Sequence, residues 1–252
     1  MDLLLPGRFD DPGVAYAYTT TVFEEVASGA RPPTISITPS TRHVGVTRRD
    51  TLRPGFYNAV RAAHEESYPV LVRAAGGGAI AAGGGTFGFS IIRPSEDAKR
   101  DPKKRYDEAA ALVLGTFSRL GINVEVGEVR DEFCPGDHSI RIGGWENGMK
   151  VVGIAQRITK KATSVGGIVL VYGEEDLARV LSRVYAAMNL PMRPESVGSL
   201  RKAGSTASLK EAMQILAEEA KHRYGATPVS LGNQTLKLSR NRHTEYLIQP
   251  AT

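Results

Sequence analysis

Three apolar, alternating segments follow one another near the middle of the chain, at residues 139–142, 149–159 and 167–172, with no helix-like stretch between them. Strands joined by short connections pair as antiparallel neighbours, because a parallel pair needs a crossover of a dozen or more residues. Further strand-like runs fall at residues 34–38, 43–47, 69–73, 87–92 and 122–129. Helical patterns occupy residues 13–29, 55–67, 101–120, 174–188 and 208–224. In the second of these, Phe56, Val60 and Ala63 share one face; the third opens on Asp101-Pro102, read as a cap and first-turn proline. Ser208-Leu209-Lys210-Glu211 has capping-box form at the start of the last. Helices inserted in blocks rather than after every strand predict an α+β fold with a mixed, mainly antiparallel central sheet flanked by helices.

At 252 residues, with 41% hydrophobic and 23% charged side chains, the chain has the composition of an ordinary globular protein and enough length for a sizeable core. Residues 191–207 are rich in Pro, Gly and Ser and predict a linker or mobile loop. The expected organisation is a main domain over residues 1–190 and a helical extension over 191–252 packed on it. Met1-Asp2-Leu3-Leu4-Leu5-Pro6 carries no basic leader, and no apolar run reaches about 18 residues, so neither export nor a membrane span is expected. One cysteine cannot form an intrachain disulfide or a thiolate-rich metal site, which fits a reducing cytoplasm. The net charge of +5 is spread over short clusters such as Lys103-Lys104-Arg105 without interleaved aromatics. That pattern argues against a nucleic-acid surface and leaves an acidic protein partner open.

Three constellations could carry chemistry. The first is Arg73 at a strand end, followed by Gly76-Gly77-Gly78 and, beyond Ala79-Ile80-Ala81-Ala82, by Gly83-Gly84-Gly85. Gly83 to Gly88 matches G-x-G-x-x-G in form, but it precedes a strand instead of opening a helix, so dinucleotide binding is discounted. The glycines read either as a β-corner or as a wall where a ligand lies against backbone, and the residues leave both readings open. The second is Cys134, set in the polar turn Asp131-Glu132-Phe133-Cys134-Pro135-Gly136-Asp137-His138. A lone cysteine is commonly a small buried hydrophobe; a loop position favours display, and reactivity then needs a nearby cation or base. His138 and any lysine brought close by the fold are candidates, with His138 as a plain surface turn residue the simpler account. The third is Lys150, in Met149-Lys150-Val151-Val152-Gly153-Ile154-Ala155-Gln156-Arg157. It is a solvated strand residue or, if buried, a base able to accept the thiol proton.

Taken in order, these segments resemble the biotin/lipoate protein ligase family. Arg73-Ala74-Ala75-Gly76-Gly77 is similar to its Arg-x-x-Gly-Gly stretch, and Lys150 to Gln156 to its Lys-x-x-Gly-x-Ala-Gln pattern. Phe133-Cys134-Pro135-Gly136-Asp137 resembles the segment bearing the acyl-accepting cysteine in the octanoyltransferase and lipoyl amidotransferase branch. The resemblance implies the catalytic-domain fold of these ligases, and a Cys134 that carries an octanoyl or lipoyl group as a thioester to a lysine of a lipoyl domain or glycine-cleavage H protein. It further implies that Lys150 assists proton transfer and polarises the acyl carbonyl. Arg73, Gly76, Gly77, Gly78 and Ala79, with Gly153 and Ala155, would line the acyl site, and no metal or nucleotide cofactor is required. The lipoyl domains of 2-oxoacid dehydrogenases and an acyl carrier protein are the further partners it suggests. Three departures leave the acyl chain and donor open: Ala82 and Gly88 stand where many relatives have histidine and asparagine, and Ser139 where close relatives often have aspartate. The alternatives are an ATP-dependent lipoate or biotin ligase, with Cys134 incidental, and a binding domain without turnover.

Overall fold

The computed structural model describes residues 1–95 and 100–250. In chain order the elements are β1 (Asp2–Leu4), α1 (Pro12–Ala27), β2 (Thr34–Pro39), β3 (His43–Val46), α2 (Phe56–Glu65), β4 (Val70–Val72), β5 (Ile80–Ala82) and β6 (Thr86–Pro94). There follow α3 (Pro102–Arg119), β7 (Glu125–Val126), β8 (Ile140–Ile142), β9 (Met149–Ile158), β10 (Ala162–Leu170), α4 (Glu174–Ala187), α5 (Leu209–Tyr224), β11 (Thr227–Val229), α6 (Asn233–Asn241) and β12 (Leu247–Ile248).

Eight strands form one sheet in the order β11-β1-β2-β6-β10-β9-β8-β7. β1 runs parallel to β2 and β11, and the other pairings, from β2 to β7, are antiparallel. A second sheet has the order β12-β4-β3-β5, with β3 and β4 parallel. The expected α+β class with a mainly antiparallel sheet is what the chain adopts. Its core has parts on either side of the large sheet. Leu3, Ile35, Phe87, Val113, Phe117 and Leu216 join α3 and α5 to one face, each such side chain contributing about 1.5–3 kcal/mol on burial. Val44, Val60, Ala63, Val180, Leu181 and Val184 join the small sheet to α2 and α4, and Phe133 belongs to this cluster. α1 packs through Tyr18, Val22, Phe23 and Val26 against Ile92.

Several local expectations change. Residues 122–129 form a strand only at Glu125–Val126, because Val129 N turns inward and donates to the Glu132 carboxylate at 3.1 Å. Asp101 does not cap α3 with its side chain: its backbone is left-handed (φ 50) and its carboxylate faces Arg100 at 3.6 Å. Residues 191–207 are no linker. Ser196, Val197, Ser199 and Leu200 are buried, Val197 bridges to Lys150, Gly198 N donates to Lys150 O at 2.9 Å and Leu200 N to Leu170 O at 2.9 Å. The Pro- and Gly-rich composition thus reflects an irregular strap bound across the ends of β9 and β10. The capping box at Ser208 forms with both of its bonds. Among the described residues, no helix is long and apolar enough to cross a membrane.

Candidate functional site

The loop carrying Cys134 folds around a buried carboxylate. Glu132, 1% exposed, accepts hydrogen bonds from Val129 N (3.1 Å), Gly136 N (3.3 Å), Ser139 Oγ (2.5 Å) and Lys150 Nζ (3.1 Å). Lys150, on β9 and equally buried, also donates to Phe133 O (2.9 Å) and Cys134 O (2.7 Å). Those three acceptors use all three donors of an ammonium group. The Phe133 ring lies beneath the charge, 4.7 Å from Nζ. Such a pair is costly to break, since either partner alone would be an uncompensated buried charge. It ties residues 132–134 to β9 in one backbone path, and Cys134 adopts a left-handed φ of 45 that non-glycine residues occupy when surrounding contacts hold them there. Tyr185, on α4, fastens the other side: its hydroxyl accepts from Cys134 N (2.6 Å) and donates to Ala79 O (2.9 Å).

The sulfur faces cationic and backbone donors. Arg73 Nη2 and Gly78 N each lie 3.2 Å from Cys134 Sγ, and the same Nη2 donates to Gly78 O at 2.6 Å. Gly77 has to be glycine here. Its φ is +106, and a Cβ would stand 2.5 Å from Sγ and 2.8 Å from Arg73 Nη2. Burial pushes the Cys134 thiol up, but the charges of Arg73 and Lys150 and the hydrogen bonds from Gly78 and Arg73 outweigh it, so its pKa falls below the ordinary value. The thiolate, the nucleophilic form, is favoured accordingly. His138 is engaged elsewhere: it stacks on Tyr106 at 4.4 Å between centroids and faces Asp107 at 3.5 Å.

Cys134 and Arg73 form part of the wall of a cavity of about 260 Å³ that runs between α1 and the large sheet. Phe133, Ile80 and Ala81 line it near the sulfur, Tyr16 and Phe23 from α1, and Gly88, Gly153, Ala155, Gly166 and Gly167 from β6, β9 and β10. Residues without bulky side chains make that stretch of sheet flat, leaving room for a slender apolar chain. Of the residues singled out in the sequence, Arg73, Gly153 and Ala155 line the cavity, while Gly77 and Gly78 pass the sulfur itself. Gly76 is exposed and its N–H donates to Gln156 O at 3.3 Å. Lys150 meets Cys134 through the carbonyl oxygen, not the sulfur. Ala82 is fully buried on β5 opposite His43, and Ser139 supports Glu132. Glu132, Tyr185, Tyr16 and His43 were not visible as site residues in the sequence. Glu132, two positions before the cysteine and in a turn, carried the one signal that could have found it. Among the described residues, no group of three His, Cys, Asp or Glu side chains is placed to hold a metal ion.

An arginine–glycine loop and a cysteine loop anchored from behind by a buried strand lysine meet at a cavity against a mainly antiparallel sheet, and the comparisons place this arrangement in the lipoate-protein ligase type of catalytic domain. Over 97% of this chain and 94% of its own, a lipoate-protein ligase A solved with bound ATP superposes with a TM-score of 0.76 at 18% identity, which carries the fold. Residues 11–221 match the family described as lipoyl protein ligase A/B catalytic domain, and the chain belongs to that family. Among curated relatives, an octanoyl-[GcvH]:protein N-octanoyltransferase of Bacillus velezensis is 28% identical over 159 residues, 63% of this chain and 54% of that protein. A lipoyl-[GcvH]:protein N-lipoyltransferase of Listeria monocytogenes is 23% identical over 169 residues, 67% of this chain and 59% of that protein. The chain spans about half the length of the curated relatives it matches.

Proposed function

We propose that this protein is an acyltransferase that moves an octanoyl or lipoyl group through a thioester on Cys134 to a lysine of an acceptor protein. The observation that carries the reading is the placement of Sγ in the cavity wall, with Arg73 Nη2 and Gly78 N each 3.2 Å away and the thiol pKa lowered. The names of the relatives supply the acyl groups and, in the H protein of glycine cleavage (GcvH), a donor. In the first step the Cys134 thiolate attacks the donor's acyl carbonyl; a C–S bond forms, and the bond to the donor's nitrogen or sulfur breaks as that atom takes up a proton. In the second, the ε-amine of the acceptor lysine attacks the thioester; a C–N bond forms, the C–S bond breaks, the amine loses a proton and the thiolate returns. A thioester is already reactive toward amines, so this route calls for no nucleotide. Arg73 Nη2 and Gly78 N hold the anionic sulfur before attack and as it leaves. Lys150 and Glu132 fix the loop that presents it.

A lipoyl domain of a 2-oxoacid dehydrogenase or the H protein is the expected acceptor, and an acidic surface on it would suit a chain of net charge +5; an acyl carrier protein is a second donor to try. A reducing compartment such as the cytoplasm keeps the single thiol free. The test is transfer from octanoylated H protein to a lipoyl domain, followed by mass spectrometry of the acceptor lysine with and without ATP. The reading requires ATP-independent labelling by wild type and none by Cys134→Ser. Labelling that needs ATP and survives Cys134→Ser would establish a ligase instead.

A further inference from the structure

His43 is a buried polar group that the transfer scheme leaves without a task. It lies on β3, 7% exposed, in the wall of the cavity that also holds Cys134. Its Nδ1 is 2.7 Å from Thr41 O. A backbone carbonyl can only accept, so Nδ1 carries the hydrogen and Nε2 of the neutral ring is a bare acceptor. That Nε2 is buried and has no hydrogen-bond partner among the described residues. Burial lowers the imidazole pKa to about 4, with the Arg73 charge adding to the effect against the opposing Thr41 bond, so the ring is neutral near pH 7. The Tyr16 ring packs edge-on at 5.1 Å and fixes its plane.

Buried side-chain acceptors are paired in the large majority of cases, and the ring that carries this one lines the cavity, where a small turn of the imidazole would bring the nitrogen to a bound chain. A plain octanoyl chain has no donor to offer it, and neither has the closed disulfide ring of a lipoyl group. Resting on the reading that this cavity holds the acyl chain, we propose that the preferred chain bears an O–H or S–H donor that bonds His43 Nε2, as in a hydroxylated acyl chain or the dithiol form of the lipoyl group. Of these the hydroxyl is the stronger donor and the thiol the weaker. A site whose buried polar group expects a partner discriminates against the ligand that lacks it, more sharply than a purely apolar wall discriminates by shape.

Binding of the free acids to the wild-type protein tests this without requiring turnover. Calorimetry would compare octanoate with octanoates hydroxylated at the third, sixth or terminal carbon, and lipoate with dihydrolipoate under reduction. At least one hydroxylated acid is expected to bind about tenfold tighter than octanoate, dihydrolipoate to exceed lipoate by a smaller factor, and the Nε2 nitrogen resonance of His43 to shift on binding. His43→Phe should abolish the preference while octanoate binds at least as well, and His43→Gln should retain part of it. Equal affinities across each pair, or an Nε2 resonance that stays put, overturn the inference whether or not the variants fold. An acyl adduct on Cys134 without any chain preference would remove this inference and leave the transfer reading standing. A clear preference, with the resonance shift, in a protein that never acylates Cys134 would do the opposite.

Discussion

Replacing Glu132 by leucine would leave the buried Lys150 ammonium without the carboxylate 3.1 Å away. Removing one member of a buried ion pair costs about 3–5 kcal/mol. Val129 and Ser139 are also buried, so the Val129 N–H and Ser139 hydroxyl would be orphaned, at about 1–3 kcal/mol each if unrelieved. Gly136 is exposed and its N–H can turn to water. Allowing for partial relaxation, the loss is about 4–8 kcal/mol, comparable to the whole stability of many domains. At roughly 2–4 °C per kcal/mol for a chain of this size, the melting temperature should fall by at least about 8 °C. Urea denaturation of Glu132→Leu, Lys150→Met and the double variant gives the coupling directly. The double variant should be less destabilised than the sum of the singles by about 2–3 kcal/mol, because it removes the unpaired charge. A loss below about 1 kcal/mol for Glu132→Leu, with Cys134 alkylated at the wild-type rate, would refute the claim that this carboxylate holds the loop.

Arg73→Met should raise the Cys134 thiol pKa, which iodoacetamide alkylation across pH 5 to 10 would show as a midpoint moved upward from wild type. Because the folded thiol gives up its proton more readily than the unfolded one, its contribution to stability is present above the unfolded pKa, near about 8.5, and is lost as pH falls through the folded value. Arg73→Met should flatten that dependence in urea titrations. Tyr185→Phe removes the hydroxyl between Cys134 N and Ala79 O and should cost about 1–3 kcal/mol. It should also speed hydrogen exchange at the Cys134 amide more than at amides of the large sheet's centre.

β6, β9 and β10 were legible as strands because they are long, and the β9–β10 pairing because a short turn joins them; that β6 lies between β2 and β10, far apart in the chain, no local pattern shows. The short strands at the large sheet's edge were not legible. β1 is three residues long, and it is a strand because β2 and β11 flank it, not because of any local alternation. The strap over residues 191–207 misled for a related reason: proline and glycine mark irregular backbone, and irregular backbone can be tightly bound. At the site, Arg73, Cys134 and Lys150 stood out by motif and setting. Their relations did not. That Lys150 grips the carbonyl of Cys134 while Arg73 and Gly78 hold its sulfur depends on how β9, the glycine loop and the cysteine loop meet. Tyr185 lies 51 residues beyond the cysteine and His43 still further before it, so no local pattern could join them to the site.

The most direct measurement is the intact mass of the protein after brief exposure to octanoylated donor in the absence of nucleotide. The account predicts a single octanoyl addition on Cys134 that hydroxylamine removes and that transfers on adding an acceptor with a free lysine. An addition that resists hydroxylamine or persists in Cys134→Ser, or a wild-type mass that never changes while the acceptor is labelled, would contradict it.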